Sequence, residues 1–120
     1  MKNSGRVVDL SLDVDSLLRG TRSEDRVEKV LQFILYLGLI RDYLRAKPND
    51  DFDNAGIDFV IYLGDEIIPL QVKSSYKGVE EHFRQHGRSV PCVVVLDNRD
   101  DGELMSQLFQ TTGLDKLLVA

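Results

Sequence analysis

Residues 56–75, GIDFVIYLGDEIIPLQVKSS, constrain the fold more than any other stretch, because Gly64-Asp65 separates two apolar runs and puts glycine at the first position of a two-residue hairpin loop. Closing the loop there pairs Leu63 with Glu66, Phe59 with Leu70 and Asp58 with Gln71. Side chains alternate along a strand, so Asp58, Val60 and Tyr62 share one face and Ile57, Phe59, Ile61 and Leu63 the other. Gln71 and Lys73 also share a face, with Lys73 diagonal to Asp58 and within reach of a long side chain. A three-residue loop would shift the register by one and separate Asp58 from Gln71 and Lys73, unless a bulge restored them.

The remaining elements follow from periodicity. VVDLSLDVD, residues 7–15, alternates apolar and polar residues, as an edge or interface strand does, so residues 1–20 are expected to form an N-terminal strand or arm. Thr21-Arg22-Ser23-Glu24 fits a capping box, and Val27, Val30, Leu31 and Ile34 follow at helical spacing, which predicts a helix from about Arg22 to Leu37 with Gly38 as its stop. Residues 39–46 read as a strand with Arg41, Tyr43 and Arg45 on one face, and residues 48–56 as a loop. GVEEHFRQHG, between two glycines, is expected to be a short helix. The β-branched run VPCVVVLD, residues 90–97, is expected at the centre of the sheet, and Leu104, Met105, Leu108 and Phe109 place a last helix after it. The order helix, three strands, helix, strand, helix predicts one α/β domain over residues 1–120, a mixed sheet flanked by helices.

Charge and cysteine content narrow the function classes. Fifteen Lys and Arg against 20 Asp and Glu leave a net charge of −5, which argues against nonspecific coating of nucleic acid but not against a local basic patch. Cys92 has no cysteine partner, and no signal peptide or apolar run of membrane-spanning length is evident, so a cytoplasmic protein without a membrane partner is expected. No phosphate-cradling glycine loop is present, which argues against NTP hydrolysis.

With the hairpin in that element order, the chain resembles the PD-(D/E)xK nuclease superfamily, in which an acid on the second strand is followed by an acid or Gln, one residue, and Lys on the third. Asp58 and Gln71-Val72-Lys73 stand at those positions. RGTRSEDRVEKVL is similar to the first helix of Mrr-like nucleases and archaeal Holliday-junction resolvases, which maps the family's helix acid onto Glu24, with Glu28 one turn on as the reserve. The resemblance implies a restriction-endonuclease-like fold and hydrolysis of DNA phosphodiester bonds with Mg2+ or Mn2+. It also implies a homodimer acting on branched or structured DNA, alone or within a larger nuclease or repair assembly. Asp58, the Gln71 amide oxygen, the Val72 carbonyl and Glu24 would hold the ion, and Lys73 would orient the attacking water. Two departures from the family pattern are Gln71 in the usual acid's place and DNAGI where a proline precedes the first acid. Losing one negative charge beside a divalent ion forgoes up to roughly 4 kcal/mol at about 4 Å, so weak metal affinity without substrate is expected. The alternative reading is a catalytically quiet module of this fold that binds nucleic acid or a protein partner.

Arg19, Arg22, Arg41, Tyr43, Arg45, Lys47, Ser74 and Lys77 are the candidate nucleic-acid contacts, able to hold phosphates beside the scissile bond. His82 and His86 read as solvated histidines, since HFRQH lacks the Glu of a zinc-protease helix. Cys92 reads as a core residue, and Asp51 and Asp53 as turn formers.

Overall fold

The computed structural model describes residues 22 to 119, with side chains as far as Lys116. The alternating stretch 7–15, Arg19 and the Thr21 end of the capping box lie outside the described residues. Helix α1 covers residues 22–36 and buries Val27, Val30, Leu31 and Ile34, the stripe that the 3.6-residue period puts on one face. It stops where expected. Gly38 takes φ +78°, its N–H donates to the Leu35 carbonyl and that of Leu39 to the Ile34 carbonyl, both at 3.0 Å, which is the Schellman pattern.

Strands β1 (Asp42–Arg45), β2 (Phe59–Leu63), β3 (Glu66–Lys73) and β4 (Cys92–Val94) form one sheet in the order β1-β2-β3-β4. The first two pairings are antiparallel and β3 with β4 is parallel. The hairpin closes at Gly64-Asp65 with φ +57° at Gly64, and its register, Leu63 opposite Glu66 and Phe59 opposite Leu70, is the expected one. Helices α2 (Asp51–Asn54), α3 (Tyr76–His86), α4 (Asp101–Thr112) and α5 (Leu114–Val119) are the other elements among the described residues. The main core lies between α1, α4 and one sheet face, around Phe59, Ile61, Leu70, Val72, Val93, Leu104 and Leu108. Over the described residues the protein is an α/β domain, a four-stranded mixed sheet flanked by helices. None of the helices among the described residues is long and apolar enough to cross a membrane.

Three elements differ from expectation. The 48–56 loop contains α2, because Asp50 caps it by accepting from the Asp53 N–H at 2.8 Å. Helix α3 starts two residues early, at Tyr76, because Ser75 accepts from the Gly78 N–H at 3.1 Å and so supplies the cap. Strand β4 is not central: among the described strands it is an edge. Its apolar run is covered by α3 and α4 instead, and Gln107 of α4 seals its open side. The Gln107 carboxamide accepts from the Val94 N–H at 2.8 Å and donates to the Val94 carbonyl at 3.0 Å, the two bonds a further strand would make.

Candidate metal and phosphate site

The ladder between β2 and β3 ends at Phe59 and Leu70, and the next residue departs from simple alternation. The Asp58 N–H donates to the Leu70 carbonyl at 2.8 Å, so Asp58 and Phe59 both stand opposite Leu70, as in a β-bulge, and the expected Asp58–Gln71 backbone pair does not form. The bulge leaves the Val72 N–H without a strand partner. Asp58 Oδ2 takes its place, accepting from that N–H at 2.8 Å, which fixes the buried carboxylate beside β3. The side chains are thus brought together by the bulge rather than by straight register.

Gln71 and Lys73 lie opposite to the core-facing Leu70 and Val72, on the face that α3 covers. A Cβ at Gly78 would lie 3.3 Å from Lys73 Cδ, so the Lys73 alkyl chain runs under the first turn of α3. Gly56 has φ +80° and a Cβ there would lie 2.8 Å from His86 Cδ2, so the segment entering Asp58 passes directly against that ring. The hydrogen bonds assign the Gln71 carboxamide. Its nitrogen donates to the Gly56 carbonyl at 2.6 Å and to Asp58 Oδ2 at 3.2 Å, and its oxygen accepts from Lys73 Nζ at 3.3 Å. The opposite orientation would set oxygen against oxygens and nitrogen against the ammonium group. Lys73, Gln71 and Asp58 form one hydrogen-bonded chain.

Glu24, in the first turn of α1, lies near enough to feel the charge of Asp58. Burial, and then the negative charge of Asp58, raise its carboxyl to about pKa 7 against the pull of Arg45. Burial likewise raises Asp58, opposed by the Val72 N–H and Lys73, while Asp53 of α2 pushes both acids up. Two partly desolvated carboxylates, Glu24 further raised by the charge of Asp58, are a donor set that a hard cation would relieve. Among the described residues no three His, Cys, Asp or Glu side chains stand together at metal-ligand spacing. Further oxygen donors here would have to come from the Gln71 amide and the backbone. Glu28, the reserve acid, is engaged elsewhere: it accepts from the Tyr43 hydroxyl at 2.8 Å and from Arg45 at 2.8 Å.

The expected basic stripe does not form. Arg45 ion-pairs with Asp25 at 2.8 Å, Glu28 at 2.8 Å and Glu24 at 3.5 Å, so with Tyr43 it fastens β1 to α1 instead of facing outward. The reason is the side of β1 on which these residues fall: it meets the acidic first turns of α1, which a strand pattern alone does not specify. Arg41 lies at the hairpin end, 3.5 Å from the Gly64 carbonyl, and Gly64 is six residues, about 20 Å, along the strand from Asp58. Arg22, Lys47 and Lys77 are exposed at or near the starts of α1, α2 and α3, and Ser74 is half-buried next to Lys73. His82 is buried, not solvated: its Nε2 lies 3.1 Å from the Val90 carbonyl, and its ring is 5.2 Å from that of His86. Half-buried Cys92 is pushed by burial up to about pKa 11, which suits packing rather than nucleophilic attack. The clamp role of Arg45 and the influence of Asp53 were not anticipated; the acidic run Glu24-Asp25 with Glu28 was the available signal for the first.

Comparison of the chain with protein-family models, curated proteins and solved structures finds no match.

Proposed function

We propose that this chain is a metal-dependent DNA endonuclease of the restriction-endonuclease-like fold, hydrolysing phosphodiester bonds at Asp58, Gln71, Lys73 and Glu24. The observation that carries the reading is the convergence of two acids with raised pKa, a carboxamide and a lysine at one bulged strand end. Burial and a neighbouring carboxylate perturb groups in this way where charge is to be handled. The element order and the Asp58, Gln71-Val72-Lys73 pattern support the superfamily assignment.

Asp58 and Glu24 would hold a Mg2+ or Mn2+ ion, with the Gln71 amide oxygen and the Val72 carbonyl as neutral donors. A bound ion of this kind supplies charge neutralisation at the phosphate and a more acidic water. Gln71 must turn its amide over to present oxygen, which gives up its two donated hydrogen bonds and keeps affinity low until a substrate phosphate joins the site. That turn releases Lys73 Nζ. Lys73 then orients the attacking water or stabilises charge on the phosphoryl oxygens, its stem held by α3. Arg45 keeps Glu24 in place as a positioning residue. Arg22, Ser74 and Lys77 are the candidate contacts to flanking phosphates, Ser74 next to Lys73 in the chain and the other two exposed at the starts of α1 and α3.

The test is cleavage of labelled duplex, single-stranded, flap and four-way-junction DNA with Mg2+ or Mn2+, comparing the protein with Asp58→Ala and Lys73→Ala. Cutting that both substitutions abolish supports the reading. The Gln71–Asp58 hydrogen bond, which closes the acid against a cation, favours a second reading, a quiet module that binds nucleic acid or a protein. Salt-dependent DNA binding indifferent to Mg2+, with no cleavage, selects the nucleic-acid form; no salt-dependent DNA binding selects the protein form.

A further inference from the structure

His82 and His86 stand one turn apart on α3, and neither has a part in the site around Asp58. His82 is only 1 % exposed, and its Nε2 lies 3.1 Å from the Val90 carbonyl. A carbonyl can only accept, so Nε2 carries the proton and the neutral ring keeps its lone pair on Nδ1. That buried nitrogen has no hydrogen-bond partner among the described residues. The half-buried ring of His86 lies 5.2 Å from the His82 ring, centroid to centroid, with 37° between their planes. We propose that the two imidazoles form a site for a divalent cation of the zinc class, with His82 ligating through Nδ1.

A histidine that ligates a metal commonly donates its other ring N–H to a backbone carbonyl, which fixes the tautomer and makes the free nitrogen more basic; the His82–Val90 contact is of that kind. The ring separation fits a shared ion. A Zn–N bond of about 2.0–2.1 Å sets each ring centroid roughly 3.2 Å from the metal, and two such rings at a tetrahedral angle stand roughly 5.2 Å apart. Burial above all, with the charges of His86 and Lys73, holds His82 below the ordinary imidazole range against the pull of the Val90 carbonyl, so the ring is in the neutral form that binds metal. No third His, Cys, Asp or Glu side chain stands at ligand spacing among the described residues, so water would fill the remaining positions. Two protein ligands with the charge of Lys73 nearby make for weaker binding than a closed four-ligand site. Imidazole suits zinc or copper where oxygen donors suit Mg2+ and Mn2+, which separates this site in chemistry from the one at Asp58. The two are neighbours in space: a Cβ at Gly56 would lie 2.8 Å from His86 Cδ2, and the Gly56 carbonyl accepts from Gln71 at 2.6 Å.

Heteronuclear NMR of the imidazole nitrogens in the full chain at pH 7.5, with Zn2+ alone raised to about 1 mM, tests the proposal. Before addition His82 Nδ1 should show the resonance of a bare lone pair. With Zn2+ it should move to that of a metallated nitrogen together with one nitrogen of His86. The Zn2+ concentration at half-saturation should rise at least about 10-fold in His86→Gln and stay the same in Asp58→Ala and Cys92→Ser, which remove the other candidate ligands nearby. A proton found on His82 Nδ1 overturns the proposal. So does a lone-pair resonance that Zn2+ leaves in place, which assigns Nδ1 to a buried water, and so does Zn2+ binding that Asp58→Ala or Cys92→Ser abolishes without any shift at the histidines.

Discussion

Replacing Gln71 by Glu restores the charge usual at this position in the superfamily that the chain resembles, yet the structure predicts that it destabilises the metal-free protein. The native carboxamide donates to Asp58 Oδ2 at 3.2 Å and to the Gly56 carbonyl at 2.6 Å. An ionised carboxylate donates neither, which costs about 2–4 kcal/mol given that one acceptor is charged. It also faces Asp58 at 3.2 Å, a repulsion of up to about 5 kcal/mol at an effective dielectric near 20. Taking up a proton avoids the repulsion and regains one bond, at about 4 kcal/mol for a carboxyl of ordinary pKa held neutral at pH 7.5. The cheaper route, with one bond still lost, sets the loss at about 5 kcal/mol, or on the order of 20 °C in Tm for a domain of this size. Thermal unfolding of Gln71→Glu and wild type in EDTA at pH 7.5 and pH 5 measures it, and the gap should shrink markedly at pH 5. Mg2+ at about 100 times its Kd should then return about 2.7 kcal/mol to the variant, and far less at the same concentration to wild type, whose amide must turn. A variant as stable as wild type in EDTA refutes the hydrogen-bond assignment; a destabilised variant that Mg2+ does not rescue refutes the cation site.

Because Glu24 is raised from 4.5 to about 7 in the folded protein, the native state binds the proton more tightly than the unfolded chain, and stability should fall as pH rises from 4.5 to 7. The full shift corresponds to about 3 kcal/mol, reduced to about 1–2 kcal/mol because 28 % of the side chain meets solvent; urea titrations of wild type against Glu24→Gln should show the slope flattened but not abolished, since Asp58 adds to it. Gln107→Ala strips both partners from the buried Val94 backbone, so chemical denaturation should show a loss of about 2–4 kcal/mol and faster amide exchange in β4. Gly56→Ala combines a positive φ with a 2.8 Å clash against His86 and should cost more than about 1 kcal/mol by the same measurement.

What the sequence made legible was local. The Gly64-Asp65 turn, the hairpin register and the α1 stripe each rest on residues within a few positions of one another, and the structure reproduces them. What it concealed depends on partners distant in the chain. The β4 run carries the apolar pattern of a central strand because α3, α4 and the Gln107 amide cover what further strands would have covered. Tyr43 and Arg45 share a face as expected, but which element that face meets is a matter of packing, and it meets Glu28 and Asp25. At the site, alternation brought Asp58 toward Gln71 and Lys73 for a reason that was incomplete: the bulge and the Val72 N–H, not a ladder pair, hold the carboxylate there.

The most direct test of the proposed site is the anomalous diffraction signal of Mn2+ in crystals grown with a phosphorothioate DNA. The expected result is one ion per chain held by Asp58 and Glu24, with the Gln71 amide turned so that its oxygen faces Asp58 and with no ion in Asp58→Ala. An ordered DNA phosphate at Lys73 without any Mn2+ signal there, or an ion held by residues other than these, would contradict it.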